Sequence, residues 1–409
     1  MTNKKVVIPI GPQHPALKEP GCFTLTLEGE KVTNAVVGVG YNHRGLEKSC
    51  ESRSYIQCLY IIERVCGICS HSHSTNFLRA VEQIAGVEIS RRANYIRVLM
   101  AELERLHSHL LWLGVAGHII GFDTLLMYSW RDRELVLDQL ATIGGNRVNY
   151  GINTIGGVRR DIDAQNIEDL KKMCTIVEEQ AKYYAQIALT ETTLAARLGG
   201  VGKLSHDDCI KYGAVGPTSR AAGVADDIRK TDPYCLYEEM PFDVITTEYA
   251  DVFGRTVVRV LEIFESVKII RYVLDNLPDG ELVVKVPRKI PAGESVTRYE
   301  APRGEDVHMV RANGTEYPER VRVRAPSEAN WHGMAHMIEG DYLADAPLII
   351  AAIDPCYSCT DRKIIVDNKD TETQSVLDWN QLRQYSIDWY KNRGIDTTKI
   401  QIPEKKLYF

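Results

Sequence analysis

The fold is decided by residues 99–113, LMAELERLHSHLLWL. The leucines of this stretch recur at alternating spacings of four and three, at Leu99, Leu103, Leu106, Leu110 and Leu113. Such spacing places them on one face of a long α-helix. Two further long helical patterns follow at residues 167–189 and 249–277, and the second ends at the breaker Pro278-Asp279-Gly280. The middle of the chain is therefore predicted to be a bundle of long helices.

Short β elements are expected on both sides of this bundle. Residues 22–39 alternate apolar and polar side chains around Glu28-Gly29-Glu30, which is the pattern of a β-hairpin. Three short apolar runs separated by turns predict strands at 282–286, 307–310 and 321–323. The expected fold class is mainly α with small β elements (α+β), built on a core bundle of long helices.

The chain is expected to form one large domain, residues 1–362, followed by an extension, residues 363–409. Within the large domain we expect an N-terminal β region (1–50), a helical core (51–280) and a segment of short strands that ends in a cysteine motif (281–362). The extension differs from the rest because it is polar and charged up to its end.

The composition excludes several classes of protein. The net charge of −6 argues against the basic face that nucleic-acid binding requires. The N-terminus has no apolar signal core, so we expect no export by the Sec route. The most apolar long stretch, residues 110–130, contains His118, Asp123 and three glycines. A membrane span needs about 20 nearly uncharged residues, so this stretch is interpreted as buried helix and turn.

Two pairs of cysteines point to a metal. Cys66 and Cys69 lie in ERVCGICSHSH, and Cys356 and Cys359 lie in DPCYSCTDR. Two residues between cysteines allow both sulfurs to reach one metal, and four such sulfurs suit zinc, an iron–sulfur cluster or another soft-metal centre. The other six cysteines are scattered singly, which favours buried packing.

The first pair is predicted to lie just before a helix. Ser70 is expected to cap this helix and Gly86 to end it. The helix dipole and Arg64 would then favour thiolate over thiol. His73 lies one helical turn after Cys69, where it can donate a hydrogen bond to a cysteine sulfur. Single histidines such as His107 are interpreted as packing.

Two plainer interpretations of the cysteines stay open. The first is a structural zinc site, although zinc ribbons and fingers collect their ligands within a short span and these pairs are separated by nearly the whole chain. The second is that one or both pairs bind no metal.

Taken together, the motifs resemble the large subunit of nickel–iron hydrogenases, which has an N-terminal CGIC followed by His and a C-terminal DPCxxC. The resemblance runs up to Arg362. Four further segments look like the energy-converting, membrane-bound group 4 branch, which is related to the 49 kDa quinone-site subunit of complex I. They are IGPQHP (10–15), YNHRG (41–45), GNRVNY (145–150) and APRGE (301–305). The complex I relative lacks the four nickel-binding cysteines, and this chain has all four.

The resemblance implies a nickel–iron centre whose iron carries two cyanides and one carbon monoxide. All four thiolates would bind nickel: Cys69 and Cys359 would also bridge to iron, whereas Cys66 and Cys356 would bind nickel terminally. The implied reaction is 2H⁺ + 2e⁻ ⇌ H₂, with one proton leaving through a cysteine sulfur, assigned here to Cys359.

Three residues outside the cysteine pairs also match the family. The resemblance implies that Glu19 relays protons, that Arg303 faces the open side of the metals and that Asp354 lies in their outer surroundings. Each has a plainer alternative: a surface glutamate, a solvated turn arginine and a turn residue before Pro355.

The resemblance also implies partners. They are a small subunit with an iron–sulfur cluster, other complex I-like hydrophilic subunits, ion-translocating membrane subunits and ferredoxin as electron carrier. No iron–sulfur cluster is expected in this chain, which would sit at the cytoplasmic face of the membrane through its partners.

The extension leaves two interpretations open. In many family members a nickel-dependent endopeptidase removes a tail after the second motif, so residues 363–409 are either such a tail or a retained segment. Trp379, Trp389 and Tyr390 have helical spacing, which predicts that part of it folds, on a partner if one is present. Rival functions are a quinone or polysulfide reductase on the same scaffold and a zinc-stapled structural subunit.

Overall fold

The computed structural model describes residues 5–362, 364–368, 373–377 and 379–396. Within these ranges the helices are α1 (Leu46–Cys50), α2 (Tyr55–Glu63), α3 (Ser70–Ala85), α4 (Arg91–Ile119), α5 (Asp123–Gly144), α6 (Ala164–Thr190), α7 (Thr192–Leu198), α8 (His206–Tyr212), α9 (Pro217–Arg220), α10 (Ile228–Thr231), α11 (Val252–Asp275), α12 (Pro326–Ile338), α13 (Ala346–Ala352), α14 (Tyr357–Thr360) and α15 (Trp379–Asn392). The strands are β1 (Val6–Ile10), β2 (Cys22–Glu28), β3 (Lys31–Gly38), β4 (Asn153–Thr154), β5 (Gly157–Val158), β6 (Gly293–Ala301), β7 (Gly304–Ala312), β8 (Pro318–Arg324), β9 (Ile364–Asn368) and β10 (Thr373–Leu377). The predicted α+β class is confirmed.

The long helix α4 lies at the centre of the bundle. It begins after Ser90, whose hydroxyl accepts a hydrogen bond from the backbone N–H of Ala93 at 3.1 Å and so caps the helix. The five leucines of the predicted apolar face are all buried. They pack in one hydrophobic core with side chains of α5, α6 and α11. The helices predicted at 167–189 and 249–277 are α6 and α11.

The apolar stretch 110–130 forms the end of α4, a turn at Gly121 and the start of α5. The predicted burial is wrong for the start of α5, where Met127 is 68% exposed and Trp130 41% exposed. Among the described helices, none combines the length and the apolar character needed to cross a membrane.

Two antiparallel sheets lie beside the bundle. The predicted hairpin is β2–β3, and β1 extends it to a three-stranded sheet. The second sheet has the order β6-β7-β8. The strand predicted at 282–286 is wrong, since this segment forms only an isolated bridge between Val283 and Gly157. Strand β6 was not predicted, because no apolar run marks its N-terminal half.

The second sheet places one predicted site residue. Strands β6 and β7 form a hairpin whose turn consists of Pro302 and Arg303, so the arginine lies at its tip. Gly304 follows with φ +122°, and a Cβ there would lie 2.6 Å from the backbone nitrogen of Gly216. This close approach holds the tip against the core, and helix α3 packs on the face of β6 and β7.

The described part of the extension forms the hairpin β9–β10 and the helix α15. Trp389 and Tyr390 are each more than a third exposed, and the Arg393 guanidinium stacks on the Trp389 ring at 3.6 Å. The segment therefore contains secondary structure, as its spacing predicted. Residues 397–409 lie outside the described ranges, and the division into one large domain and an extension stays a prediction.

Candidate metal centre

The two cysteine pairs meet in the interior. Cys66 and Cys69 lie in the loop between α2 and α3, and Cys356 and Cys359 lie before and within α14. All four are between 2% and 5% exposed. The sulfurs of Cys66, Cys356 and Cys359 lie within 4.8 Å of one another, and those of Cys356 and Cys359 are 2.8 Å apart. The structure thus brings together thiols that are almost 300 residues apart in sequence.

The loop of the first pair is held by the start of α3. Ser70 is the first helical residue and not the predicted cap; its hydroxyl donates to the carbonyl of Cys66 at 2.9 Å. A buried carboxylate, Glu104 from α4, takes the place of the cap. It accepts hydrogen bonds from the backbone N–H groups of His71 at 2.6 Å and Ser72 at 3.0 Å. Gly86 ends the helix as predicted, with φ +64°.

His107 holds the middle of the same loop, which was not predicted. Its Nε2 lies 3.2 Å from the carbonyl of Ile68, the residue just before Cys69. Its Nδ1 lies 3.1 Å from Nη2 of Arg133. Because a guanidinium can only donate, Nδ1 must accept and the proton must be on Nε2, which then donates to Ile68. Burial lowers the pKa of His107 to about 3, which keeps the ring neutral.

The second pair is held by residues from distant parts of the chain. Glu19 accepts hydrogen bonds from the backbone N–H groups of Tyr357 at 2.7 Å and Ser358 at 3.1 Å. The hydroxyl of Ser327 accepts one from the N–H of Cys356 at 2.9 Å. The motif begins at Asp354, whose φ of +53° is rare for a residue other than glycine.

The end of the second motif is fastened to the turn after β3. The carboxylate of Asp361 accepts hydrogen bonds from the backbone N–H groups of Gly40 at 2.6 Å and Asn42 at 2.5 Å. Arg44 belongs to the same segment and reaches both motifs. It donates to the carbonyl of Val65 at 2.8 Å and to that of Ser358 at 3.4 Å. This arginine therefore ties the two cysteine loops together.

Arg303 supplies positive charge at the thiols. Its Nη1 lies 3.3 Å from the sulfur of Cys69, and its Nη2 lies 2.9 Å from Oδ2 of Asp354. Both side chains are buried. The prediction for Arg64 is wrong: its guanidinium is more than half exposed and donates to the carbonyl of Tyr60. Arg64 is the C-cap residue of α2, which leaves its side chain outside the loop.

His73 contacts a cysteine sulfur, but that sulfur belongs to the other motif. Its Nε2 lies 3.3 Å from the sulfur of Cys359. Its Nδ1 faces Asp306 and His308 on β7, both fully buried. The spacing between Cys69 and His73 predicts how far apart they lie along the helix. Which cysteine sulfur His73 contacts depends instead on where α14 packs.

The chain matches two family models. The model for the 49 kDa subunit of respiratory-chain NADH dehydrogenase matches residues 120–289 and 283–362. The model for nickel-dependent hydrogenase matches residues 44–115, which contain the first cysteine pair. The chain is 43% identical to the membrane-bound hydrogenase subunit alpha of Pyrococcus furiosus, over 88% of each protein. The chain belongs to this hydrogenase and complex I family.

Other relatives in the family carry different names. The chain is 36% identical to an NADH-quinone oxidoreductase subunit of Dehalococcoides mccartyi, over 88% of this chain and 99% of that protein. A solved structure of the membrane-bound sulfane sulfur reductase, an archaeal respiratory membrane complex, superposes with a TM-score of 0.84 at 29% identity. The overlap covers 88% of this chain and all of that one. The family is one of oxidoreductase subunits from membrane complexes, and its nickel-dependent members include hydrogenases.

The donor set fits the family's nickel–iron group. Four buried thiols offer only soft ligands, which suit nickel and low-spin iron. Hydrogen bonds from Cys356 and the other thiols hold the pKa of Cys66 well below its usual range, with help from Arg303. Burial raises the pKa of Cys359. The same four thiols also fit zinc, so the donor set alone does not select the metal.

Sequence reasoning missed Glu104, His107, Arg44 and the pair on β7. Only the last left a signal in the sequence. His308 lies in the strand predicted at 307–310, and Asp306 lies just before it, two residues from His308. Both side chains lie on one face of β7, and that face is buried. Two inward polar residues in an apolar strand indicate a buried hydrogen-bonding partner.

Proposed function

We propose that this chain is the catalytic subunit of a membrane-bound nickel–iron hydrogenase that interconverts protons, electrons and H₂. The observation that carries the proposal is the convergence of the buried thiols of Cys66, Cys356 and Cys359, with Cys69 beside Cys66. A guanidinium lies at the Cys69 sulfur and an imidazole at the Cys359 sulfur. A purely structural zinc site would not need these two further groups.

Cys66, Cys69, Cys356 and Cys359 would hold nickel, and Cys69 and Cys359 would also hold an iron with two cyanides and one carbon monoxide. When bound, this group supplies the electron-rich metals at which H₂ is split heterolytically. The chain itself contributes charge and proton acceptors. Buried Arg303, paired with Asp354, places a fixed positive charge 3.3 Å from the sulfur of Cys69 and thereby favours the ionised thiolates.

Glu19 is proposed to carry protons between the site and solvent. Its carboxylate is half-buried and contacts the N–H groups of Tyr357 and Ser358, the two residues between the second pair of cysteines. The carboxylate thus lies against the loop between the two cysteines while its residue reaches the surface, and this supports the proposed relay. Cys359 is proposed as the sulfur that first receives the proton.

Glu19→Gln tests this role. The amide keeps the size of the side chain but cannot take up a proton, so H₂ turnover should fall by about 10²- to 10⁴-fold while nickel stays bound. Glu47→Gln is the matched control, because Glu47 also lies near the second motif, in an ion pair with Arg362, without contacting a cysteine. Unchanged turnover in Glu19→Gln would remove the assignment.

The proposed partners follow the family. They are an iron–sulfur small subunit, other complex I-like hydrophilic subunits, ion-translocating membrane subunits and ferredoxin as electron carrier. The chain would lie at the cytoplasmic face of the membrane and attach to it through these subunits. A reductase for quinone or polysulfide is the second candidate, favoured by the likeness to the sulfane sulfur reductase and to the quinone oxidoreductase relative.

Isotope exchange separates the two candidates. A hydrogenase exchanges D₂ with the protons of water without any electron carrier, so the purified complex should form HD from D₂ even when ferredoxin is absent. A complex that reduces quinone or polysulfide but forms no HD would overturn the hydrogenase proposal in favour of the reductase.

A further inference from the structure

A buried cluster behind Cys359 is not used by the proposed reaction. It consists of His73 from α3 and of Asp306 and His308 from β7. One ligand atom from each lies within 4.8 Å of the others, and none of the three is accessible to solvent. Strand β7 places the aspartate and the histidine on the same inward face, against which α3 packs.

Both nitrogens of the His73 ring are occupied. Nε2 lies 3.3 Å from the sulfur of Cys359. Nδ1 lies 3.4 Å from Oδ1 of Asp306 and 3.1 Å from Nε2 of His308. A ring held at two opposite positions cannot rotate without breaking a contact on each side, so the cluster fixes the orientation of the imidazole.

Asp306 anchors the cluster. Its Oδ2 accepts hydrogen bonds from Nε2 of His308 at 3.0 Å and from the side-chain amide of Asn76 at 3.0 Å. In the described part of the chain no lysine or arginine contacts this carboxylate. A buried carboxylate needs a partner that donates to it, and here the donors are His308 and the amide of Asn76.

These contacts leave a proton on Nε2 of His73. Nδ1 of His308 has no hydrogen-bond partner among the described residues, so the ring acts through Nε2–H toward Asp306 and His73. Oδ1 of Asp306 forms no hydrogen bond with the described residues, so Nδ1 of His73 accepts from Nε2–H of His308. The single proton of the neutral His73 ring therefore lies on Nε2, directed at the sulfur of Cys359.

We propose that Asp306 and His308 are positioning residues that lock His73 as a hydrogen-bond donor to the sulfur of Cys359. A hydrogen-bond donor withdraws electron density from a thiolate that holds a metal. Asp306 and His308 would therefore influence the electronic state of bound metals through His73, without contacting a cysteine themselves. The inference rests on the proposed function and deepens it, since Cys359 is the sulfur assigned to bridge nickel and iron.

The test compares Asp306→Asn, Asp306→Leu and His308→Gln in the purified complex. Infrared spectra report the metals, and a cryo-electron microscopy structure reports the orientation of His73. In Asp306→Leu the ring should leave Cys359, the carbon monoxide band should shift to lower frequency, and H₂ turnover should fall by about 10- to 100-fold with nickel still bound. Asp306→Asn and His308→Gln, which keep polar groups, should shift the band less.

Glu82→Gln is the matched control. Glu82 is a buried carboxylate on the same helix α3, but it pairs with Arg97 at 2.8 Å and does not contact the cluster. Its variant should leave the band where it is in the unchanged complex. His73 still directed at Cys359 in Asp306→Leu, with an unshifted band, would overturn the inference. If Asp306→Leu does not fold, Asp306→Asn decides: an unmoved ring with an unshifted band overturns the inference.

The outcome is separable from that of the proposed function. If the unchanged complex contains no nickel and shows no cyanide or carbon monoxide bands, the hydrogenase proposal fails. The structures of the same variants still show whether Asp306 orients His73 toward Cys359, so the positioning role is decided on its own.

Discussion

The two cysteine loops are built in different ways. The first pair lies at the start of a 16-residue helix, α3, and is supported by residues of the adjoining helix α4, Glu104 and His107. The second pair lies on α14, a helix of only four residues. Its supports come from far away in sequence: Glu19, the turn at Gly40 and Asn42, and Ser327.

This difference indicates where the site is vulnerable. A loop at the start of a long packed helix inherits the stability of that helix, because most helical stability comes from the packing of one face against the core. A loop on a single helical turn has no such support and depends on each long-range hydrogen bond. We therefore expect supporting substitutions to loosen the second pair more than the first.

The largest effect should come from the cysteines themselves, and it should be equal in both loops. Cys69→Ser and Cys359→Ser each remove one soft ligand, so nickel content and H₂ turnover should both be lost. Cys174→Ser is the control, since Cys174 is a buried cysteine in the helical core, away from the site. A nickel content that stays unchanged in either site variant, measured by elemental analysis, would remove that cysteine from the centre.

Substitution of the residues that support each cysteine loop should reveal the difference between the two loops. Asp361→Ala removes two hydrogen bonds to a charged acceptor, each contributing about 2 kcal/mol. Ser70→Ala removes two neutral bonds, to the Cys66 carbonyl and the Asn149 amide, each contributing about 1 kcal/mol. Nickel should therefore leave Asp361→Ala faster than Ser70→Ala when both complexes are exposed to a chelator. Equal rates of release would contradict the comparison, and Asp361→Asn, which keeps one acceptor, should lie between the two.

Arg44 should have a smaller effect that falls on both loops together. Lysine in its place keeps the charge but offers one nitrogen in place of the two with which Arg44 contacts the carbonyls of Arg64, Val65 and Ser358. Arg44→Lys should lower the thermal midpoint and speed nickel release modestly. Arg53→Lys serves as the control because Arg53 is exposed and bonds only to nearby residues. If the two variants behave alike, Arg44 does not join the loops.

The smallest expected effect is the pH dependence of stability that Glu104 causes at the first cysteine loop. Burial raises the pKa of Glu104 to about 8, whereas an unfolded glutamate titrates near about 4.3. Between these values the native chain holds a proton that the unfolded chain has released, so stability falls as pH rises through this window. Glu104→Gln stays neutral, and its thermal midpoint should drop less between pH 5 and pH 8. A drop as large as that of the unchanged chain would contradict the raised pKa.

The sequence was sufficient to predict features that rest on a periodic pattern or on an unusual residue type. The spacing of Leu99 to Leu113 was enough to predict the central helix. Two isolated cysteine pairs were enough to predict that distant thiols converge. The strand at 282–286 was wrong because an apolar run does not show how long its neighbour is. Here the neighbour, β5, has only two residues, so pairing is limited to one bridge.

The supports of the site could not be predicted in the same way. Glu104, Arg44 and Asp361 act through contacts with backbone groups that are remote in sequence, and no spacing signals which carbonyl or N–H a side chain will meet. Arg64 shows the reverse error: proximity in sequence suggested an influence on the thiols that the direction of its side chain does not allow. Arg303, more than 230 residues away in sequence, takes that role.

The central claim is that these four thiols hold nickel and iron. Elemental analysis of the purified complex, combined with its infrared spectrum, tests it most directly. We expect nickel and iron in amounts matching this chain, together with bands from bound cyanide and carbon monoxide. Zinc without nickel and a spectrum without those bands would contradict the account.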